Sequence, residues 1–249
     1  MRDLSAGPEL LSLNTATVRK QADLLGIVEA CARHGIAAVS PWRDQVAAVG
    51  LERAARAIRD AALKLSGYCR GGLFPASGEH VAAARDDNRR AVDEAAALEA
   101  PCLILVAGGL PQFARPGSTP SKDLVGARKM IEDGIAELLA HARQARLPLA
   151  IEPLHPMYAA ERAATGVARA GRERVLAYHV SDWLVPTKDM LNDRGMMGDG
   201  VIELRRIRRA VEDAGFNGFI EAEVFSDYWW AQPMDRVLST CIERYRSVV

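Results

Sequence analysis

Short apolar runs alternate with longer amphipathic segments along all 249 residues, and this alternation limits the possible folds more than any other feature. The runs lie at residues 10–14, 36–40, 65–69, 102–106, 147–152, 175–180 and 219–225. Helical patterns occupy 18–34 (stopped by Gly35), 51–63, 79–99, 122–145, 159–174, 202–214 and 234–245. Strands that alternate with helices pair in parallel through crossover connections. The runs read as nearly continuous in apolar character, which suits a sheet covered by helices. No low-complexity linker or shift in composition divides the chain, so residues 1–249 are expected to form one α/β domain. Polar or Gly-rich residues follow the runs, as in Asn14-Thr15, Arg70-Gly71-Gly72 and Glu152-Pro153-Leu154-His155. That is the pattern of a barrel whose chemistry sits at the C-terminal ends of its strands. A doubly wound sheet would place its site there too. No G-x-G-x-x-G follows the first run, however, and no G-x-x-x-x-G-K-[ST] occurs, so nucleotide-binding readings lack their motifs.

Charge excludes some partners. Lys+Arg and Asp+Glu number 32 each, so no global field draws the chain to nucleic acid or to an anionic membrane. No run approaches the ~20 apolar residues of a membrane span, and the N-terminus lacks the apolar stretch of a signal peptide. Cys31, Cys69, Cys102 and Cys241 are widely spaced and form no CxxC pair. They read as reduced core residues of a cytoplasmic protein.

Three runs carry ionisable residues where a buried strand would end: Leu147-Pro-Leu-Ala-Ile-Glu152, Val175-Leu-Ala-Tyr-His179 and Phe219-Ile-Glu-Ala-Glu223. Burying such groups is costly unless something pairs with them. One could be a satisfied structural group, but three in successive runs point to one site built from neighbouring strand ends. Glu oxygen and His nitrogen both suit a divalent cation. Taken alone, His179 reads as a hydrogen-bonded core or barrel-mouth histidine, and its place between Glu152 and Glu223 in strand order favours the ligand reading. Glu221 and Glu223 fall on the same side of a strand, so either could be the functional carboxylate.

Ile151-Glu-Pro-Leu-His-Pro156, Tyr178-His-Val-Ser-Asp182, Asn192-Asp-Arg-Gly-Met-Met-Gly-Asp-Gly200 and Gly218-Phe-Ile-Glu-Ala-Glu223 resemble the sugar phosphate isomerase/epimerase family, xylose isomerase-like TIM barrels. The resemblance runs almost from end to end. It implies one divalent metal, Mn, Mg, Co or Zn, held by ligands after strands 5, 6, 7 and 8. Glu152, His179 and Glu223 match three of them, and the spacing of Glu223 from Gly218 favours it over Glu221. The resemblance further implies that Glu152 and Glu223 remove and return a proton next to a carbonyl, through an enediolate. His155, Asp182 and Arg194 would bind substrate, with Asp182 also able to orient or replace a ligand. Arg194 is equally readable as a solvated loop residue.

The family's Asp ligand after strand 6 has no counterpart. Only 22 residues separate Glu152 from Val175, and their acidic residues are Glu161 and Glu173. An internal deletion near Thr165-Gly166 would remove strand 6, leaving a TIM barrel of about seven strands. Its open edge would be covered by residues 157–174 or by a second copy of the chain, making a homo-oligomer. The implied activity is a metal-dependent isomerase or epimerase of a sugar or sugar-like carbonyl compound, with turnover weakened by the lost ligand. The alternatives are a non-catalytic or weakly ligand-binding relative and a lyase resembling inosose dehydratase.

Overall fold

Leu11-Ser12-Leu13-Asn14 forms strand β1 (Leu11–Asn14), the first element of a computed structural model that describes residues 1–75, 80–108, 123–152 and 173–249. Along the chain β1 is followed by a 3-10 turn (Thr15–Val18), α1 (Leu24–Arg33), β2 (Ala38–Ser40), α2 (Arg43–Val49), α3 (Leu51–Asp60) and β3 (Lys64–Leu65). Next come β4 (Tyr68–Gly72), α4 (His80–Ala97), β5 (Leu103–Val106), α5 (Leu124–Gln144) and β6 (Leu149–Glu152). The last stretch holds β7 (Tyr178–Val180), β8 (Asp182–Trp183), β9 (Arg194–Gly195), α6 (Leu204–Asp213), β10 (Ile220–Ala222), α7 (Asp227–Trp230) and α8 (Met234–Ser247). The described residues fall into two compact units, residues 1–66 with 173–249, and residues 67–152.

In the first unit five strands form one parallel sheet in the order β3-β2-β1-β10-β7. The first strand thus pairs with the last, from Leu11 opposite Ile220 to Leu13 opposite Ala222. A (β/α) barrel closes through such a pairing. Ser12, Glu221 and His179 occupy one row across β1, β10 and β7.

The continuous apolar character expected of the runs holds in β5, Leu103-Ile-Leu-Val106, but not in β1, β7 and β10. Leu-Ser-Leu-Asn, Tyr-His-Val-Ser and Ile-Glu-Ala-Glu alternate, and successive side chains of a strand point to opposite faces. Leu11, Leu13, Ile220 and Ala222 are fully buried, as are Ile27 and Cys31 of α1 and Leu238 and Cys241 of α8. Each large aliphatic side chain so buried contributes about 1.5–3 kcal/mol. The other face collects Ser12, Asn14 and Glu221, all buried. A sheet with one polar face turned inward is suited to carry a site.

Local chemistry sets the helix boundaries. The helix expected over 18–34 starts at Leu24, because Asp23 caps it by accepting from Gly26 N at 2.9 Å. Gly50, at φ 90°, separates α2 from α3. Residues 194–195 and 182–183 form a small antiparallel hairpin, β8–β9, with no apolar run to announce it.

The second unit is a parallel sheet in the order β4-β5-β6, accompanied by α4 and α5. The run expected at 65–69 is divided, with β3 paired to β2 and β4 paired to β5. Gly72 is required at the end of β4. Its φ is 105°, and a Cβ there would sit 2.1 Å from the Val106 carbonyl oxygen. Asn88 of α4 accepts from Gly72 N at 2.5 Å and donates to Gly72 O at 2.9 Å, which locks this turn to the helix. Strand β6 pairs with β5 up to Val106 opposite Glu152. The helical pattern of 159–172 and the deletion expected near Thr165-Gly166 lie outside the described residues, and 173–174 form a turn. Among the described residues, no helix is long and apolar enough to cross a membrane.

Candidate metal centre

His179 lies in the middle of β7, and Glu223 directly follows β10, where its N–H donates to the Val180 carbonyl at 3.0 Å. The His179 Nδ1 is 3.2 Å from Glu223 Oε2, and its Nε2 is 3.2 Å from Glu221 Oε1. Two atoms that each lie ~2.0–2.2 Å from one cation are about 3.0–3.5 Å apart. The spacing of Nδ1 and Oε2 fits a pair of ligands on one divalent ion.

Asn14, at the end of β1, fixes the other side of the cluster. Its Oδ1 accepts from Trp42 Nε1 at 2.7 Å and from Ala16 N at 3.1 Å. Two N–H groups on that oxygen dictate which way the amide points. Its Nδ2 therefore faces the carboxylates and donates to Glu221 Oε1 at 2.8 Å and Glu223 Oε1 at 2.9 Å. Glu223 is thus held by one oxygen, and the other is turned toward His179. The side chains of Glu221, Glu223 and His179 are only 1%, 15% and 16% exposed. Even with His179 protonated, two carboxylates leave the cluster formally negative. A divalent cation would balance a charge that is otherwise costly at this burial.

The remaining expected site residues are placed differently. Glu152 ends β6 in the second unit and is half-buried. His155 lies outside the described residues. Asp182 is 1% exposed, and its carboxylate accepts from Trp183 N (2.8 Å), Ile202 N (2.9 Å) and Gly198 N (2.9 Å). Both oxygens are engaged in holding the loop that follows β9. Replacing Asp182 by alanine leaves three N–H groups without that acceptor, and stability should fall by roughly 2 kcal/mol. Amide hydrogen exchange at Gly198 and Ile202 should accelerate, and unchanged protection would contradict this role.

Arg194 stacks its guanidinium over the Trp183 ring at 4.8 Å, and its backbone N–H donates to Phe225 O at 2.9 Å. The hairpin is thereby anchored to the segment that follows Glu223. Sequence reasoning did not single out Asn14 or Ser66 as partners of the carboxylates. Asn14 does leave a trace, as a polar residue closing an apolar run, but Ser66 leaves none.

A profile of the xylose isomerase-like TIM barrel family matches residues 28–165, more than half of the chain. The chain belongs to this family. Within the xylose isomerase-like barrels, it is similar to the crystal structure of protein SMc04130 from Sinorhizobium meliloti 1021. The two are 50% identical over 96% of this chain and 98% of that one, with a TM-score of 0.88. Two more distant structures share the fold. One is the IOLI protein with a bound zinc atom, 16% identical over 93% of this chain and 95% of that chain, with a TM-score of 0.75. The other is 3-keto-D-glucoside 4-epimerase, YcjR, from E. coli, 15% identical over 93% and 97%, with a TM-score of 0.65. A search of curated protein sequences found no match.

Proposed function

We propose that this chain is a metal-dependent isomerase or epimerase of a sugar or sugar-like carbonyl compound, with one divalent cation held by Glu152, His179 and Glu223. The observation that carries the reading is the 3.2 Å approach of His179 Nδ1 to Glu223 Oε2, with the other Glu223 oxygen fixed by Asn14. Glu152 adds a third ligand of the same chemistry at the C-terminal end of its strand. One imidazole and two carboxylates accommodate Zn, Mn, Co or Mg, and a fold relative carries zinc. When bound, the cation supplies Lewis-acid stabilisation of negative charge on a substrate oxygen.

The chain's own residues move the proton. Glu152 and Glu223 face the carbon next to the carbonyl. One carboxylate takes its hydrogen as a proton, and the other returns a proton to that carbon or its neighbour. Arg194, with its fork of donors, and His155 bind substrate oxygens. The burial of Cys31, Cys69, Cys102 and Cys241 agrees with work in a reducing cytoplasm.

The test is solvent exchange. Protein loaded with Mn or Zn is incubated in deuterated water with a panel of ketoses and cyclic polyol ketones. Slow, cation-dependent deuterium incorporation next to the carbonyl is expected. Cation binding without incorporation on any member would assign the chain as a binding relative. Loss of water from a cyclic polyol ketone would assign it as a lyase.

A further inference from the structure

We infer that Thr17 is a positioning residue: its hydroxyl fixes the main chain on either side of Glu223 and so sets where that carboxylate meets His179. The inference rests on the reading of Glu223 as a metal ligand given above. Thr17 Oγ1 accepts from Val224 N at 3.0 Å and donates to the Ala222 carbonyl at 3.1 Å. Residue 223 lies between these two groups. Thr17, Ala222 and Val224 are all fully buried, so neither backbone group can turn to water instead.

The need for this contact follows from where the sheet stops. Pairing of β1 with β10 runs to Leu13 opposite Ala222, and after Asn14 the chain turns away into the 3-10 turn. In a parallel ladder the residue opposite position 223 donates to the carbonyl of 222 and accepts from the N–H of 224. The Thr17 hydroxyl makes both contacts, because a threonine oxygen is donor and acceptor at once. On the other flank the sheet itself serves, with Glu223 N–H donating to the Val180 carbonyl at 3.0 Å. Glu221 lies inside β10, where β1 and β7 bracket it in register, and needs no such device.

The turn that presents Thr17 is itself fixed. Ala16 N donates to Asn14 Oδ1 at 3.1 Å, and Trp230 Nε1 of α7 donates to the Ala16 carbonyl at 2.8 Å. The same Asn14 holds the Glu223 side chain through Oε1 at 2.9 Å. The end of β1 and the turn after it therefore grip Glu223 twice, once by its main chain and once by its carboxylate. A functional carboxylate has to be held to within roughly 0.5 Å of its working position. One hydrogen bond from Asn14 to one oxygen does not stop the main chain from shifting beneath it. The 3.2 Å approach of Glu223 Oε2 to His179 Nδ1 depends on both grips.

The experiment compares wild type with Thr17→Val, which keeps the shape and loses the hydroxyl, and Thr17→Ser, which keeps the hydroxyl. Chelator competition, at a temperature where all three are folded, measures zinc affinity. Crystal structures of the metal-free proteins locate the Glu223 carboxylate. In Thr17→Val zinc affinity should fall about 10-fold, and Glu223 Oε2 should leave its 3.2 Å contact with His179 Nδ1. Thr17→Ser should keep both affinity and contact near wild type. Unchanged affinity in Thr17→Val, or a Glu223 carboxylate that stays in place there, would overturn the inference and leave Thr17 a purely structural residue. A loss that serine does not restore would overturn it as well. If wild type binds no zinc, the metal reading fails, while the position of Glu223 still decides what Thr17 does. If Thr17→Val does not fold, Thr17→Cys decides in its place. A thiol is a weaker donor and acceptor, so affinity should fall there too, and wild-type affinity would overturn the inference.

Discussion

Glu223→Ala should lower exchange activity on the order of 1,000-fold or more and remove measurable cation binding. General-base catalysis alone is typically worth 100- to 10,000-fold, and Glu223 is proposed to act as ligand as well. Glu221 cannot take its place, because one of its oxygens is engaged by Asn14 and the other by Ser66. Glu223→Gln keeps the shape and the Asn14 contact but loses the charge, so it should also be close to inactive. Paired measurements of deuterium incorporation and zinc affinity check this. A Glu223→Ala enzyme that keeps most of its activity would contradict the role of Glu223 and transfer it to Glu221.

The second large effect lies in the core. Arg208 of α6 is 3% exposed. It donates to Glu212 Oε1 at 2.9 Å, to the Val249 carbonyl at 3.0 Å and to the Arg2 carbonyl. Arg2 in turn donates to Glu212 through its backbone N at 2.8 Å and its Nε at 3.0 Å. The Arg208–Glu212 pair thus joins both chain ends to α6. Burial pushes the Glu212 carboxyl up, but hydrogen bonds from Arg208 and Arg2 outweigh it and hold the carboxyl below its ordinary value.

Glu212→Ala would leave Arg208 buried without its counter-charge. The cost should be about 3 kcal/mol, the lower end for a broken buried pair, because two carbonyls still accept from the guanidinium. The midpoint of thermal unfolding should drop by roughly 6–12 °C. The sign of the pH dependence follows from the lowered value. A carboxyl that is more acidic when folded adds stability above its unfolded pKa and loses it as pH falls through the folded one. The gap between wild type and Glu212→Ala should therefore be full near neutrality and shrink in acid. A gap independent of pH would contradict this account of Glu212.

Much of the fold was legible because its signals are local. Alternating runs and helical patterns mark a parallel α/β chain, and β1, β2, β5, β6, β7 and β10 all fall inside expected runs. Even the uncertainty over Glu221 and Glu223 had a physical basis, since residues two apart on a strand share a face, and both do reach His179. What remained hidden depends on contacts distant in sequence. Ser66 touches Glu221 across 155 positions, and nothing around Ser66 announces it. The β8–β9 hairpin is two residues deep and is held by Asp182 and by the Phe225 carbonyl, not by an apolar pattern. Helix α2 (Arg43–Val49) falls in none of the expected helical patterns, whereas α3 starts where its pattern does, just after Gly50 at positive φ.

Metal stoichiometry of the purified chain tests the central claim most directly. Titration with zinc or manganese, followed by calorimetry and by elemental analysis after gel filtration, should give one cation per chain in wild type. Binding should be lost in both His179→Ala and Glu223→Ala, with each variant still folded. A wild-type chain that takes up no divalent cation, or one whose binding survives both substitutions, would contradict the assignment of this cluster as a metal centre.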